Sequence, residues 1–138
     1  MGTLFAVLLI AAALMAASAC LKPVKYPKSH YGFEYDGPDE LLPYVELAWE
    51  PFDEAGIKAP WMVTILNVRQ LTKCGCSGSW GWNGSVQTGE SLCALPHEYA
   101  HQASFVLYGD PQDDHDWTPT VRALLNLSAD AVGCGHEN

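Results

Sequence analysis

Two histidines and a glutamate lie at a spacing that can build a hydrolytic metal centre: His97-Glu98-Tyr99-Ala100-His101, an H-E-x-x-H pattern. In an α-helix, positions i and i+4 differ by only about 40° around the axis and about 6 Å along it, so both imidazoles leave the same face. Neutral imidazole nitrogens bind Zn²⁺ at about 2.0–2.1 Å, and a glutamate beside the first histidine reaches a metal-bound water. The pattern therefore predicts zinc ligands at His97 and His101 and a general base at Glu98.

A catalytic zinc takes three protein ligands and leaves one position open for water. The segment that follows the motif is rich in turn residues and in oxygen and nitrogen donors, and it contains His115, fourteen positions after His101. A loop of this length can double back to the motif, which favours His115 as the third ligand. Asp116 is the main alternative, followed by Asp113 and Asp114; a merely solvated acidic loop is the other interpretation.

The pattern H-E-x-x-H, a short turn and then His-Asp-Trp at the head of another helix resembles the zincin metallopeptidases. It is most similar to compact members such as SprT-like and WLM-type domains, in which a later histidine opens the following helix. The resemblance covers roughly Trp61 to Leu127, and its specific part is His97–His101 with His115–Trp117. The H-E-x-x-H-x-x-G-x-x-H pattern of metzincins is absent. The resemblance implies zinc binding by His97, His101 and His115 and a general base at Glu98.

The same resemblance implies the reaction: hydrolysis of a peptide bond in a peptide or protein substrate, by Glu98-assisted attack of a zinc-bound water. Three neutral ligands would leave the zinc its positive charge, which lowers the pKa of bound water and polarises a carbonyl. The alternative function is a non-catalytic lipoprotein that binds a partner and in which the metal site is structural or vestigial.

The remaining elements indicate an α+β fold, a minimal zincin-like domain in which a small antiparallel or mixed sheet packs on the motif helix and two further helices. A 3.6-residue apolar period predicts a helix from Pro38 or Asp39 that Pro51 ends or bends. β-Branched and apolar residues predict a strand over Trp61–Val68. The other predicted elements are a hairpin of Trp80–Trp82 with Ser85–Thr88 around Asn83-Gly84, the motif helix over Leu92–Tyr108, and a final helix from Thr118-Pro119.

The first part of the chain is typical of an exported precursor. Residues Leu4 to Ala19 are apolar and uncharged, and Ala17-Ser18-Ala19 is suited to signal cleavage. With Cys20 it also resembles a bacterial lipobox, in which that cysteine carries lipid. We therefore predict a signal peptide over 1–19, a lipid-anchored or flexible tether over 20–37 and the metallopeptidase domain over 38–138, on the periplasmic or extracellular face of a membrane or secreted.

Five cysteines support that assignment, because lipidation of Cys20 leaves an even number for disulfides. Cys74 and Cys76 are too close to bridge comfortably. We therefore expect each to bond to Cys93 or Cys134, in one of two pairings. A cysteine-rich metal site is the second interpretation.

The formal net charge of −9 disfavours a nucleic acid partner, whose phosphates this chain would repel. Three lysines after Cys20, interleaved with prolines, are consistent with a tether at a membrane surface: Lys22, Lys25 and Lys28.

Further residues have weaker assignments around the site. Asp116 or Asp114 would orient a ligating imidazole. The candidates for stabilising an oxyanion are Tyr108, Tyr99 and His136. Trp80 and Trp82 would line a substrate cleft or, more commonly for such residues, belong to the core.

Overall fold

A computed structural model describes residues 25–74 and 77–137. The predicted signal peptide, the lipobox with Cys20, Lys22 and Cys76 lie outside the described residues. Within the described part of the chain, no helix is long and apolar enough to cross a membrane.

The architecture is α+β, as the sequence predicts, with one mixed four-stranded sheet and helices packed on it. In chain order the elements are β1 (Glu34–Asp36), a 3-10 turn (Asp39–Leu41), α1 (Leu42–Glu54), β2 (Met62–Leu66), α2 (Val68–Cys74), β3 (Gly78–Trp80), β4 (Ser85–Gly89), α3 (Leu95–Tyr108) and α4 (Pro119–Ala131). Helix α3 carries the H-E-x-x-H pattern and is called the motif helix below.

The sheet has the strand order β1-β2-β4-β3. Strands β1, β2 and β4 are parallel, with Tyr35 opposite Val63 and Val63 opposite Val86, whereas β3 runs antiparallel to β4 and pairs Trp80 with Val86. The β3–β4 hairpin turns at Asn83-Gly84, as the sequence predicts, and Gly84 has a positive φ of 79° that suits glycine. Trp82 therefore lies in the turn and not in the predicted strand.

Strand β1 falls inside segment 20–37, for which the sequence predicts a tether. Phe33 and Tyr35 are completely buried in the core, and Lys28 forms a bridge with Glu34 that extends the pairing further toward the N-terminus. The folded domain thus begins before residue 38, because the parallel sheet recruits these aromatic residues to cover its inner face.

The motif helix packs against β3 and β4, α1 and α4 pack against it and against each other, and aromatic residues join it to α1. The rings of Trp49 and Phe52 in α1 stack 5.1 Å apart, and Tyr99 of the motif helix meets Trp49 edge-on at 4.9 Å. The Tyr99 hydroxyl donates to the Val45 carbonyl at 3.2 Å, and in α4 the Ser128 hydroxyl donates to the Ala48 carbonyl at 2.6 Å. Apolar burial and these buried hydrogen bonds hold the three helices together.

The motif helix begins at Leu95, three residues later than predicted. Helix α1 continues through Pro51 to Glu54, so of the two predicted effects of this proline, ending the helix is excluded. Leu92 has a φ of 60°, which is incompatible with a right-handed helix. Pro96 still occupies the first turn, where its missing N–H does no harm, and Gly109 ends the helix with a φ of 70°.

Candidate metal centre and active-site cleft

The two motif histidines point their Nε2 atoms at the same place. Those atoms lie 3.2 Å apart, and the rings belong to successive turns of the motif helix. Two nitrogens bound to one tetrahedral zinc at about 2.0–2.1 Å would lie about 3.3 Å from each other. The spacing of His97 and His101 therefore fits a shared ion.

Hydrogen bonds on the other side of each ring determine which nitrogen carries the proton. His97 Nδ1 lies 2.6 Å from Glu137 Oε1, and His101 Nδ1 lies 2.7 Å from the Pro111 carbonyl oxygen. A carboxylate and a carbonyl only accept hydrogen bonds, so both Nδ1 atoms donate. In the neutral rings both Nε2 lone pairs then face each other across the gap, an arrangement that a cation stabilises.

Burial reinforces the neutral form of His101. Desolvation lowers the pKa of this imidazole, while its hydrogen bond to the Pro111 carbonyl opposes that effect. A neutral imidazole is the form that binds a metal ion, so the environment of His101 suits a ligand.

The loop between the motif helix and α4 brings His115 to the same place. Its ring centroid lies 4.6 Å from that of His97 and 5.1 Å from that of His101, and one ligand atom from each histidine lies within 4.8 Å of the others. His115 has a φ of 59°, a left-handed conformation that costs on the order of 1–3 kcal/mol when a residue other than glycine adopts it. We call these three residues the histidine triad.

Trp117 packs against the triad from the interior of the protein. This side chain is buried, and its ring centroid lies 5.5, 4.9 and 5.6 Å from those of His97, His101 and His115. Thr118 then caps α4 by accepting a hydrogen bond from the Val121 N–H at 3.4 Å. Packing against Trp117 therefore limits how far each imidazole can rotate.

Glu98 lies beside the triad in a largely dehydrated position. Only 6% of its surface is exposed. Burial, and to a smaller extent the negative charge of Glu137, raises the pKa of Glu98 from its ordinary value of 4.5 to about 7. A carboxyl group with such a pKa can exchange a proton near neutral pH.

Glu98 and the triad line one cleft of about 880 Å³, which we call the triad cleft. Strand β3 forms one wall, and Gly78 approaches Glu98 so closely that a Cβ atom there would lie 3.2 Å from the Glu98 Cγ. Trp80 lines the same wall, donates from Nε1 to Gln102 Oε1 at 2.9 Å, and contacts the ring of Phe105. Asp113 also faces the cleft.

Other residues that the sequence singled out lie elsewhere. Tyr99 is buried between the helices, where its hydroxyl donates to a backbone carbonyl of α1. The Tyr108 hydroxyl accepts a hydrogen bond from Thr118, and His136 pairs with Asp130 at 2.7 Å. None of the three tyrosine or histidine side chains proposed for an oxyanion lines the triad cleft. Trp82 is 65% exposed on a separate groove with Trp61.

The imidazole-orienting groups are not those that the sequence predicted. Asp114 accepts a hydrogen bond from the backbone N–H of Asp116 and thereby shapes the loop. The groups that orient imidazoles are Glu137 and the Pro111 carbonyl, neither of which was predicted. The position of Cys134, three residues before Glu137, points to this contact only once its disulfide to Cys93 is known.

The disulfide predictions require a correction. Cys93 bonds to Cys134 across a Cα–Cα distance of 5.6 Å, so both predicted pairings are wrong, since each joined these two residues to Cys74 and Cys76. Cys93 lies two residues before the motif helix, and the turn after α4 carries Cys134 to it. This tertiary return of the C-terminus was invisible in the cysteine spacing.

No protein-family model, curated protein or solved structure matches the chain.

Proposed function

We propose that this protein is an exported zinc-dependent hydrolase whose catalytic base is Glu98, and that its substrates are peptides or proteins. The observation that carries this proposal is the convergence of two Nε2 lone pairs 3.2 Å apart, with His115 beside them and Glu98 in the same cleft.

The donor set fits zinc. Three imidazoles are the ligand set of many catalytic zinc sites, and oxygen-seeking cations such as Mg²⁺ or Ca²⁺ prefer carboxylates, carbonyls and water. When bound, zinc supplies a Lewis acid that polarises a carbonyl and lowers the pKa of water.

The role of Glu98 follows from its position and its pKa. Its carboxylate lies in the cleft that contains the triad, next to a strand that leaves no side chain at Gly78. With a pKa raised to about 7, the carboxylate accepts a proton from the attacking water and the resulting acid returns it to a leaving amine.

The wall of the cleft supports an extended substrate. Within the described part of the chain, β3 pairs only with β4, so its outer edge has backbone groups free to bind an extended peptide. The resemblance of the motif segment to zincin metallopeptidases supports peptide hydrolysis in particular.

The compartment belongs to the same proposal. A disulfide between Cys93 and Cys134 is compatible with an oxidising environment, and the apolar segment before Cys20 is typical of a signal peptide. We propose anchoring through a lipidated Cys20, with ordinary secretion as the alternative.

The decisive experiment combines metal analysis with hydrolysis of fluorescein-labelled casein and a mixed peptide library. We expect one zinc per chain, and we expect Glu98→Gln to retain zinc while losing about 10²–10⁴-fold in kcat. Glu90→Gln is the matched control, because Glu90 is an exposed acid outside the cleft. A folded wild-type protein that binds no zinc would overturn the proposal.

The non-catalytic alternative requires a fourth protein ligand: Asp113 lines the same cleft, although its carboxylate is not among the donor atoms that lie within 4.8 Å of one another. A closed four-ligand site has no position for water. Cobalt-substituted protein distinguishes the two cases, because acetohydroxamic acid changes the visible spectrum of an open site and leaves that of a closed site unchanged.

A further inference from the structure

The C-terminal tail, residues 132–137, returns from the end of α4 to the triad cleft. Gly133 has a φ of 73°, which reverses the chain, and the Cys134 N–H donates to the Ala129 carbonyl at 2.8 Å. The turn therefore directs the last residues toward the start of the motif helix.

Three further contacts hold the tail after this turn. Cys134 is bonded to Cys93, Arg122 donates to the Glu137 backbone carbonyl at 3.4 Å, and His136 pairs with Asp130. The disulfide is the strongest of these contacts because it is covalent. It also lies only three residues before Glu137.

At the end of this tail, the Glu137 carboxylate lies 2.6 Å from His97 Nδ1. Glu137 is 40 residues away from His97 in sequence. A carboxylate accepting from Nδ1 holds the ring in the tautomer whose Nε2 binds metal, restricts its rotation and makes the ligand more basic.

Apart from this contact, His97 is held less firmly by the folded domain than His101 is. His101 is buried and has the Pro111 carbonyl behind it, whereas His97 is only half-buried. The tail carboxylate therefore supplies for His97 the restraint that the folded loop supplies for His101.

We propose that Glu137 is the positioning residue for His97, and that the Cys93–Cys134 disulfide holds it in place. This inference rests on the proposed zinc site, and it adds that the affinity of that site depends on a covalently tethered tail. It also implies that a phosphine reductant, which together with one water converts the disulfide to two thiols and is itself oxidised to a phosphine oxide, weakens metal binding.

The first test measures zinc affinity by chelator competition for wild type, Glu137→Gln and Glu137→Ala. We expect Glu137→Ala to weaken affinity by about 10–100-fold and Glu137→Gln by less, because an amide oxygen still accepts from Nδ1. Glu90→Gln is the matched control, since it removes one negative charge from an exposed side chain outside the triad cleft and away from the tail, and should leave affinity unchanged.

A readout independent of the metal is the tautomer of His97, measured by long-range ¹H–¹⁵N NMR of the metal-free protein. Wild type should show Nδ1 protonated, and Glu137→Ala should shift the ring toward a tautomer mixture while the melting temperature stays the same. Zinc binding by wild type with no change in Glu137→Ala would overturn the inference alone; no zinc binding by wild type would overturn the proposed function.

The disulfide is tested by combining its removal with the Glu137 substitution. Cys93→Ser/Cys134→Ser should weaken zinc binding toward the level of Glu137→Ala, and adding Glu137→Ala to it should cost little more. Fully additive losses would show that the disulfide and Glu137 act independently and would overturn the tethering role. Addition of tris(2-carboxyethyl)phosphine to wild type, which reduces the disulfide without adding a thiol ligand for zinc, should reproduce the effect of the double serine variant.

Discussion

His97 and His101 face each other through their Nε2 atoms at 3.2 Å while each Nδ1 donates away from the gap, one to Glu137 and the other to the Pro111 carbonyl. Helix geometry explains the proximity of the two rings, but the hydrogen bonds behind them explain why both offer a lone pair. Both lone pairs are thus oriented toward one point between the rings, where a cation would bind.

Zinc should stabilise the protein, because the ion binds the folded triad and the unfolded chain has no such site. At a free zinc concentration 1,000-fold above Kd the gain is about 4 kcal/mol, which raises the melting temperature by roughly 10–20 °C. His115→Ala should lose most of this gain in differential scanning calorimetry. His30→Ala, at a histidine that contacts Glu46 on another surface, should retain it. Equal stabilisation of both variants by zinc would contradict a triad.

Glu98 should destabilise the metal-free protein as pH rises. Its pKa is raised from 4.5 to about 7 on folding, so the folded state binds more protons than the unfolded state between these values. The contribution of Glu98 to the free energy of unfolding is therefore complete below pH 4.5. It is lost as pH rises through about 7, and the loss is about 2–4 kcal/mol. In the presence of a chelator, Glu98→Gln should therefore be more stable than wild type at pH 8 and similar at pH 4.5. Urea denaturation of both proteins at the two pH values measures the difference in their free energies of unfolding. The same difference at pH 4.5 and pH 8 would refute the expectation.

Any side chain at position 78 should reduce the rate of hydrolysis. A Cβ atom there would lie 3.0 Å from the Gln87 carbonyl oxygen and 3.2 Å from the Glu98 Cγ, so Glu98 or strand β3 must move. We expect Gly78→Ala and Gly78→Val to reduce kcat in increasing order, with Val costing at least about tenfold because small displacements of a catalytic group are costly. Zinc affinity should change little, because neither substitution touches the triad. A parallel loss of zinc would indicate that β3 supports the ligands and not the base.

Trp117 should affect metal affinity although it does not line the triad cleft. Its ring contacts all three imidazoles, so Trp117→Leu removes the surface that limits their rotation. We expect a stability loss of about 2–4 kcal/mol and a weaker zinc affinity, measured by denaturation and chelator competition respectively. Trp61→Leu, at a half-exposed ring outside the triad cleft, is the control and should leave zinc affinity as in wild type. Unchanged affinity in Trp117→Leu would limit this residue to a packing role.

Local features of the fold were predictable from the sequence because they depend on neighbours in the chain. The hairpin at Asn83-Gly84 and the stop at Gly109 follow from the φ values that glycine tolerates, and the final helix follows from an apolar period with a threonine cap. The start of the motif helix was misplaced because Leu92 adopts a left-handed conformation that its residue type does not announce. Strand β1 was missed because its burial depends on the parallel pairing with β2.

The sequence by itself determined that His97 and His101 share one face of a predicted helix, with Glu98 beside the first, because a four-residue spacing in a helix places two side chains about one turn apart. Tertiary structure alone decided that Cys93 pairs with Cys134, that Glu137 stands behind His97 and that Trp117 lies against the triad. These contacts join residues far apart in the chain. Their formation depends on how α4 packs on the other helices and on where the chain turns after it, and no periodicity or spacing within a single segment encodes such packing.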